Sequence, residues 1–356
     1  MLVTRDHEGI FLRCMRGLIE HLDPDRFDLS IVCAESGLDR VRAEVANPRV
    51  KYVPVPDSFE KTAGIIREGS FDLLYFWEVG SDPFNYFLPF LRLAPVQCVG
   101  WGTAYTTGVP QIDYHVSSDL VEIPEAQEHY TERLVRLTTL PTYQYRPGLQ
   151  QPEKDRGAFG LSESQHVYMC AQNVRKLHPD FDLLLGEILR RDPAGVLVLL
   201  KPEHEHLEAT LRERFQRTVG DVVDRILFVP RMPHADYLNL VTMGDVLLDP
   251  RPYGSGVTAY DGFSLGKPIV TFPTQYQRGR YAYGCYRRMR ILDCVAASAE
   301  EYIELAVRLG TDGDWRRSIS DRILAASHVL FEDLDVVRQH EQFFEQAFRT
   351  ARSGQR

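Results

Sequence analysis

The sequence predicts an α/β protein made of two successive doubly wound domains. Short segments rich in apolar, β-branched and aromatic residues alternate with helical or loop stretches, which is typical of βαβ units around a parallel sheet. The length of 356 residues also suits two domains of ~150 residues each. Between residues 141 and 165 the alternation lapses and Pro and Gly are frequent, so a domain boundary is predicted there.

The first half opens with a strand over residues 1–4 that looks cut short, because apolar residues at helical spacing follow at once over residues 10–19. We therefore expect a natural polypeptide that is either minimal or extends further upstream. Further strands are predicted over residues 29–33, 51–55, 73–77 and 96–99. Together these elements define an N-terminal domain over residues 1–145.

The second half follows a predicted linker over residues 146–165. Its strands are predicted over residues 166–170, 196–200, 226–229, 246–249 and 269–272, and the spacing from Phe181 to Leu189 predicts one of its helices. This domain covers residues 166–330. Residues 331–356 have a helical composition and are predicted to form a C-terminal helix.

Composition and charge exclude several classes of protein. A hydrophobic content of 44% and a charged content of 26% exclude collagen-like and disordered chains. A net charge of −9 without a basic run argues against nucleic-acid binding. The longest apolar runs fall far short of the ~20 residues of a membrane span. Six cysteines without a CxxC pair indicate neither a disulfide framework nor a zinc site, and favour the cytoplasm.

The strongest candidate site is the glycine-rich turn over residues 254–256, between a predicted strand and a predicted helix. Glycines allow a close approach of the backbone, and the start of a helix offers N–H groups and a positive dipole end, so a diphosphate would fit there. Thr258 would add a hydroxyl, and Asp261 would accept hydrogen bonds from a ribose. An ordinary capped turn is an equally good interpretation. The pattern is neither a P-loop nor GxGxxG.

Lys176 marks a second candidate site, where the strand over residues 166–170 runs into polar residues and then Pro179. A lysine at this place would neutralise the charge that builds up on a leaving phosphate. The alternative is a solvated surface lysine, which is the commoner fate of a lysine.

Two further candidates follow predicted strands of the first half. Glu78 ends the strand over residues 73–77 and is a candidate base, with a carboxylate bound to loop amides as the alternative. His7 is a candidate proton carrier or anion ligand, unless it is a turn histidine without a role. His204 and His206 lack a third ligand and do not share a helix face, so no metal site is expected.

Taken in order, these segments resemble the catalytic region of the O-linked N-acetylglucosamine transferase/SPINDLY family, whose bacterial relatives include cytoplasmic protein N-glucosyltransferases. The resemblance runs from about His7 to about Leu309. It rests on APVQ at residues 94–97, W-G and T-T-G at 101–108, D-Y and S-D at 113–119, YTERL at 130–134, L-P at 140–141 and the segments 167–179, 225–228 and 248–271.

The resemblance implies a GT-B fold, with two facing Rossmann-like domains and a cleft between them. It implies a metal-independent, inverting glycosyltransferase that moves GlcNAc or glucose from a UDP-sugar to a Ser, Thr or Asn side chain of a protein. The UDP-sugar is a co-substrate, and no cofactor is implied. The alternatives are a GT-B nucleotide-sugar epimerase or hydrolase, and a non-catalytic remnant that binds a nucleotide or a partner.

The resemblance also assigns residues. Lys176 matches the family's donor-phosphate lysine and, with His7 and Glu78, forms the predicted catalytic set. The predicted acceptor or cleft residues are Thr106, Thr107 and Gly108. The predicted donor-binding residues are Asn173, Met232, His234, Tyr237, Gly254, Ser255, Gly256, Val257, Thr258 and Asp261.

Some positions depart from the family pattern. Asn173 stands where the animal enzymes have Gln, Gly256 where they have His, and His234 where they have Lys. Tyr75 lies where many relatives have His. The tandem tetratricopeptide helices that commonly precede this region are not seen in the sequence.

Overall fold

The computed structural model describes residues 1–148 and 154–354, so residues 149–153 of the predicted linker and residues 355–356 of the predicted C-terminal helix lie outside the described residues. The chain divides into two compact units. The first comprises Met1–Tyr145 and Phe331–Arg356, and the second comprises Arg146–Leu330.

The first unit is built on parallel strands. Its strands are β1 (Ser30–Ala34), β2 (Lys51–Val55), β3 (Leu73–Phe76), β4 (Val96–Val99), β5 (Tyr114–Ser118) and β6 (Arg133–Leu137). Its first helices are α1 (Glu8–His21), α2 (Leu38–Glu44), α3 (Phe59–Glu68) and α4 (Pro83–Phe87). The sheet order is β3-β4-β5-β6, and β1 pairs with β2.

The N-terminal residues join these two sheets. Leu2 forms parallel bridges to Val32 of β1 and Phe76 of β3, and its N–H donates to the Tyr75 carbonyl at 2.9 Å. The strand predicted over residues 1–4 is therefore present as a bridge rather than as a full strand. It brings the start of α1, and hence His7, to the carboxyl end of β3.

Two strands of the first unit escape the sequence patterns. β5 carries His115, Ser117 and Ser118, which are all buried although they are polar. β6 lies at the edge of the sheet and carries Arg133 and Arg136. Because both strands lack the usual apolar alternation, strand preference alone does not reveal them.

The second unit is a doubly wound domain. Its strands are β7 (His166–Cys170), β8 (Gly195–Leu200), β9 (Ile226–Val229), β10 (Val246–Leu248) and β11 (Ile269–Val270). Its helices are α5 (Pro179–Arg191), α6 (Glu205–Val219), α7 (His234–Met243), α8 (Val257–Ser264), α9 (Tyr281–Met289), α10 (Ala299–Thr311) and α11 (Gly313–Ala326). The parallel sheet has the order β11-β10-β7-β8-β9.

This order places a topological switch point between β7 and β10. The chain proceeds from β7 to β8 and β9 in one direction and then returns to lay β10 and β11 on the other side of β7. Ligands of open α/β sheets bind beyond the carboxyl ends of the strands at such a point. The segments carrying Lys176 and the glycine-rich turn leave β7 and β10 at that edge.

The last helix, α12 (Leu334–Arg352), returns to the first unit. Its Phe343 ring meets Tyr114 of β5 with centroids 5.3 Å apart, and Phe344 meets Tyr75 of β3 at 5.9 Å. Glu341 accepts a hydrogen bond from the Asp23 N–H at 2.8 Å. Within residues 1–148 and 154–354, no helix has the length and apolar character needed to span a membrane.

Candidate functional site

Lys176 lies in a short 3₁₀ turn that follows β7. Its Nζ donates to the Gln172 Oε1 at 3.2 Å and to the Gly254 carbonyl at 2.9 Å, and lies 4.6 Å from the centre of the Tyr253 ring. Burial lowers the Lys176 pKa to about 8, although Asp249 acts in the opposite direction. The structure therefore turns this lysine inward against the turn that follows β10, rather than leaving it on the surface.

Asp249 shapes that turn. The carboxylate directly follows β10 and is 2% exposed. One oxygen accepts the Ser255 N–H at 2.6 Å, and the other accepts the Thr271 hydroxyl at 2.7 Å. A Cβ at Gly254 would come within 2.9 Å of the Asp249 carboxylate, so the turn closes this tightly only with glycine there. Burial raises the pKa of Asp249.

The helix α8 starts at Val257, directly after the turn. Its N-cap residue, Gly256, supplies no side-chain cap, and a Cβ built there would meet nothing within 4 Å. The Thr258 hydroxyl accepts a hydrogen bond from the Gln172 amide at 2.5 Å. An ordinary capped turn would have a side chain at the N-cap, so the open, uncapped helix start favours an anion as its partner.

These contacts form one connected group, which we call the donor network: Gln172, Lys176, Asp249, Gly254 and Thr258. Gln172 links two of its members, because its side-chain nitrogen donates to the Thr258 hydroxyl and its side-chain oxygen accepts a hydrogen bond from Lys176. An ammonium group, a hydroxyl and a helix N-terminus thus meet at one edge of the sheet. That combination suits the binding of a diphosphate.

The residues predicted to flank a base and a ribose lie towards β9 and α8. Asp261 is fully buried one turn into α8, and its Oδ1 lies 3.7 Å from the His234 Nε2. The His234 and Tyr237 rings stack at the start of α7 with centroids 5.9 Å apart, and the half-buried Met232 precedes that helix. The exposed Asn173 lines a cavity of about 140 Å³ beyond β7 and β8.

His7 and Glu78 are brought together in the first unit. The His7 Nδ1 lies 2.5 Å from the Glu78 Oε1, and the Ser81 hydroxyl donates to the other carboxylate oxygen at 3.1 Å. The Glu78 side chain is 11% exposed and that of His7 is 39% exposed. A carboxylate on Nδ1 fixes the ring and leaves Nε2 as the basic atom, which is the arrangement of an oriented general base.

The loop after Glu78 is braced by Asn85. The Asn85 amide oxygen accepts the Gly80 N–H at 2.7 Å, and its nitrogen donates to the Thr4 hydroxyl at 2.9 Å and to the Glu78 carbonyl. Asn85 is itself held in α4, whose N-cap Asp82 accepts the Asn85 N–H at 2.9 Å. The loop that carries Glu78 is therefore held in place by a connected set of hydrogen bonds through Asn85.

Thr106, Thr107 and Gly108 belong to a loop over residues 103–108, which we call the acceptor loop. Both threonine hydroxyls donate to the buried Glu132 carboxylate, Thr106 at 2.8 Å, and the Thr107 N–H donates to it at 2.7 Å. Gly108 adopts φ +66°, in the left-handed region that favours glycine. The hydroxyls predicted to line a cleft are thus engaged inside the loop.

Among the described residues, no group of three or more His, Cys, Asp or Glu side chains is placed to hold a metal ion. The rings of His204 and His206 stack with centroids 5.5 Å apart, which is a ring contact and not a coordination geometry.

A model of glycosyl transferase family 41 matches residues 152–336, slightly more than half of the chain. The chain belongs to glycosyl transferase family 41.

Among curated proteins, this family 41 chain is 26% identical over 270 residues to the probable UDP-N-acetylglucosamine–peptide N-acetylglucosaminyltransferase SPINDLY of Arabidopsis thaliana. The match covers 71% of this chain but 28% of that relative, so the chain spans a little over a quarter of its length. The resemblance to the O-linked N-acetylglucosamine transferase/SPINDLY family is confirmed.

Two solved structures define the fold of this family 41 chain. A mutant O-GlcNAc transferase from Thermobaculum terrenum matches with a TM-score of 0.78 at 24% identity, covering 98% of this chain and 66% of that one. WaaG, a glycosyltransferase involved in lipopolysaccharide biosynthesis, matches with a TM-score of 0.54 at 12% identity, covering 93% and 94%. Together with the parallel sheets, these likenesses confirm the predicted GT-B class.

Sequence reasoning missed three polar residues that hold the two candidate regions in shape: Gln172 and Asp249 in the donor network, and Glu132 beneath the acceptor loop. Each is at most 7% exposed. The only local signal is a polar side chain at or near the end of a predicted strand. Their partners lie far along the chain, so the sequence alone does not connect them.

Proposed function

We propose that the chain is the catalytic region of a metal-independent, inverting glycosyltransferase that moves GlcNAc or glucose from a UDP-sugar to a Ser, Thr or Asn side chain of a protein. The donor network carries this proposal, because it sets a cation and an open helix start at the switch point of a family 41 chain. The printed name of the Arabidopsis relative, a UDP-GlcNAc-dependent peptide transferase, supports the same reaction class.

The second unit holds the donor in this proposal. Lys176 and the N–H groups at the start of α8 bind the diphosphate, and Thr258 adds its hydroxyl. Asp261 accepts hydrogen bonds from the ribose, and the segment with Met232, His234 and Tyr237 flanks the base. These groups stabilise the negative charge that develops on UDP as the glycosidic bond breaks, which is commonly the largest electrostatic contribution to catalysis.

The first unit supplies the base. His7 Nε2 removes the proton of the acceptor hydroxyl or amide, and Glu78 stabilises the imidazolium that forms. The acceptor oxygen or nitrogen then bonds to the anomeric carbon from the face opposite to UDP, which leaves with the bonding electron pair. The sugar is transferred with inversion, and UDP and a proton are the other products.

We also propose a cytoplasmic location. It is supported by six cysteines that are all buried and unpaired. Burial raises the thiol pKa to about 12 for Cys33, Cys285 and Cys294, which keeps these groups as unreactive thiols. Such cysteine usage suits a reducing compartment.

The experiment that tests the proposed function is a donor panel. We expect UDP to raise the melting temperature of the purified chain, while GDP, as the control for the base, has a smaller effect. Incubation of UDP-GlcNAc or UDP-glucose with candidate acceptor proteins should then yield a glycosylated Ser, Thr or Asn, located by mass spectrometry.

Other outcomes would contradict the proposal. Release of free sugar or of an epimer without an acceptor would identify a hydrolase or epimerase. A melting temperature that does not respond to any nucleotide would identify a non-catalytic chain.

A further inference from the structure

Among the residues that the structure describes, Arg251 has no anionic partner. It follows β10 and Asp249, and its guanidinium carbon lies 3.8 Å from the centre of the Phe272 ring. The side chain is half-buried, and its Nε is buried without a hydrogen-bond partner within residues 1–148 and 154–354. Over the same residues, no carboxylate lies within ion-pair distance of it.

This state sets Arg251 apart from other arginines of the chain. Carboxylates raise the pKa of Arg26, Arg190, Arg191 and Arg322, whereas burial lowers that of Arg251. A cation that is partly removed from water without a counterion is destabilising unless a ligand supplies the negative charge. A bound anion beside Phe272 would therefore stabilise Arg251.

The order of the strands in the second sheet indicates which part of a bound ligand would contact Arg251. The segment that flanks the base follows β9, at one side of the sheet, and the donor network lies at β7 and β10. Arg251 and Phe272 follow β10 and β11, at the opposite side. A nucleotide sugar stretched along the carboxyl edge from β9 towards β11 would thus pass Lys176 first and reach Arg251 near its sugar end.

We propose that Arg251 is a second donor-binding cation, which holds the sugar-side phosphate of the UDP-sugar. This inference rests on the proposed function. It adds Arg251 to the donor-binding residues, among which the family resemblance did not place it. The planar guanidinium offers two parallel N–H donors to the phosphate oxygens, and the Phe272 ring fixes its plane. Lys176 then serves as the cation on the other side of the diphosphate.

The test compares UDP with UMP, which lacks the second phosphate, by titration calorimetry of the full chain. Replacing Arg251→Gln should weaken UDP binding about 10- to 100-fold, as expected for a lost charge-assisted contact. UMP binding should change little. Arg251→Lys keeps the charge but lacks the planar guanidinium, so its affinity for UDP should lie between those of the wild type and of Arg251→Gln.

Arg308→Gln is the matched control. Arg308 also stacks on an aromatic ring, at 4.0 Å from the centre of Trp315, but it lies on α10 and has Asp312 as a neighbour. We expect it to leave the affinities for UDP and UMP unchanged. A circular-dichroism melt of each variant separates loss of binding from loss of fold.

The outcomes decide between the assignment and the proposed function. Equal UDP affinity of wild type and Arg251→Gln, or an equal loss for UDP and UMP, would overturn the role of Arg251 and leave the proposed function standing. Failure of the wild-type chain to bind UDP at all would overturn both. Should Arg251→Gln not fold, the ratio of UDP to UMP affinity in Arg251→Lys decides in its place.

Discussion

The donor network of the second unit and the acceptor loop of the first unit use their polar side chains in opposite ways. In the donor network, Lys176 donates to a neutral carbonyl and a neutral amide. In the acceptor loop, Thr106 and Thr107 donate to a buried carboxylate, Glu132. The first set of bonds is readily exchanged for bonds to a ligand, and the second is not.

The two regions differ in the group that loses its hydrogen bonds when a ligand takes its place. A phosphate that replaces the Gly254 carbonyl at Lys176 forms a stronger, charge-assisted bond, and the carbonyl can be solvated. A ligand that took the threonine hydroxyls would leave the buried Glu132 carboxylate without its donors, at a cost of about 1–3 kcal/mol or more. We therefore expect an acceptor to meet this loop through its backbone and the 49% exposed Tyr105.

The largest effect is expected for Lys176→Ala. If Lys176 stabilises the departing diphosphate, turnover should fall about 10²- to 10³-fold, as for other preorganised charge-stabilising groups. The stability should change little, because the replacement also removes a partly buried charge. Steady-state kinetics and a thermal melt on the same preparation check both statements.

Lys267→Ala is the matched control for this prediction. Burial likewise lowers the Lys267 pKa to about 8, and its Nζ donates to the carbonyls of Thr242 and Gly244 at 2.7 and 2.9 Å. These contacts lie at the amino end of the sheet. The control should leave the turnover of the folded enzyme unchanged, because Lys267 contacts none of the residues of the donor network. If both variants behaved alike, the donor network would have only a structural role.

The next effect is expected at the pair of His7 and Glu78. His7→Ala should lower turnover about 10²-fold, the lower end for a general base, because the ring is 39% exposed and water can partly replace it. Added imidazole should restore part of this activity. Glu78→Gln should lower turnover about tenfold, since it orients His7 without touching the substrate.

The binding of UDP separates this role from a structural one. Both variants of the pair should bind UDP as the wild type does, because the donor is held by the other unit. A normal rate in His7→Ala, or no rescue by imidazole in a folded variant, would remove His7 as the base.

How far the sequence predicts this molecule depends on the range of the interaction. The strands of the second unit and the turn over residues 254–256 follow from short patterns, because a buried strand and a glycine turn impose local preferences. The inward position of Lys176 does not, because most lysines at such a place are solvated. The strands β10 and β11 end before Asp249 and Thr271, whose side chains bond each other across the end of the sheet.

Contacts between distant residues are not predicted in the same way. His7 and Glu78 are 71 residues apart and meet because Leu2 pairs with β3. Glu132 reaches Thr107 across 25 residues, from the position directly before β6, a strand that the pattern did not reveal. A single sequence states which residues can bond, but only the fold selects the partner.

The smallest effect on donor binding, and the largest on the acceptor loop, is expected for Glu132→Gln. Burial raises the pKa of this carboxyl, but hydrogen bonds from Thr107 and Thr106 outweigh it, so the pKa lies below its ordinary value of 4.5. A depressed carboxyl pKa stabilises the fold above the unfolded value, and the stabilisation is lost as the pH falls through the folded value. The amide keeps the volume and loses this contribution.

The free energy of unfolding should thus be about 1–3 kcal/mol lower in Glu132→Gln than in the wild type at neutral pH, and the gap should close below about pH 4.5. Burial also lowers the pKa of the nearby His115 to about 4, which destabilises both proteins in acid from about pH 6.5 downward. Because the Glu132 charge raises the pKa of His115, part of the gap between the two proteins comes from the interaction of these two groups. Urea unfolding at several pH values measures this gap.

The KM for the acceptor should rise while the affinity for UDP stays constant, because the acceptor loop and the donor network belong to different units. A difference in the free energy of unfolding that did not depend on pH would show that the Glu132 charge does not hold the loop. A loss of UDP affinity as large as the rise in the KM for the acceptor would show that the two regions are not separate in function.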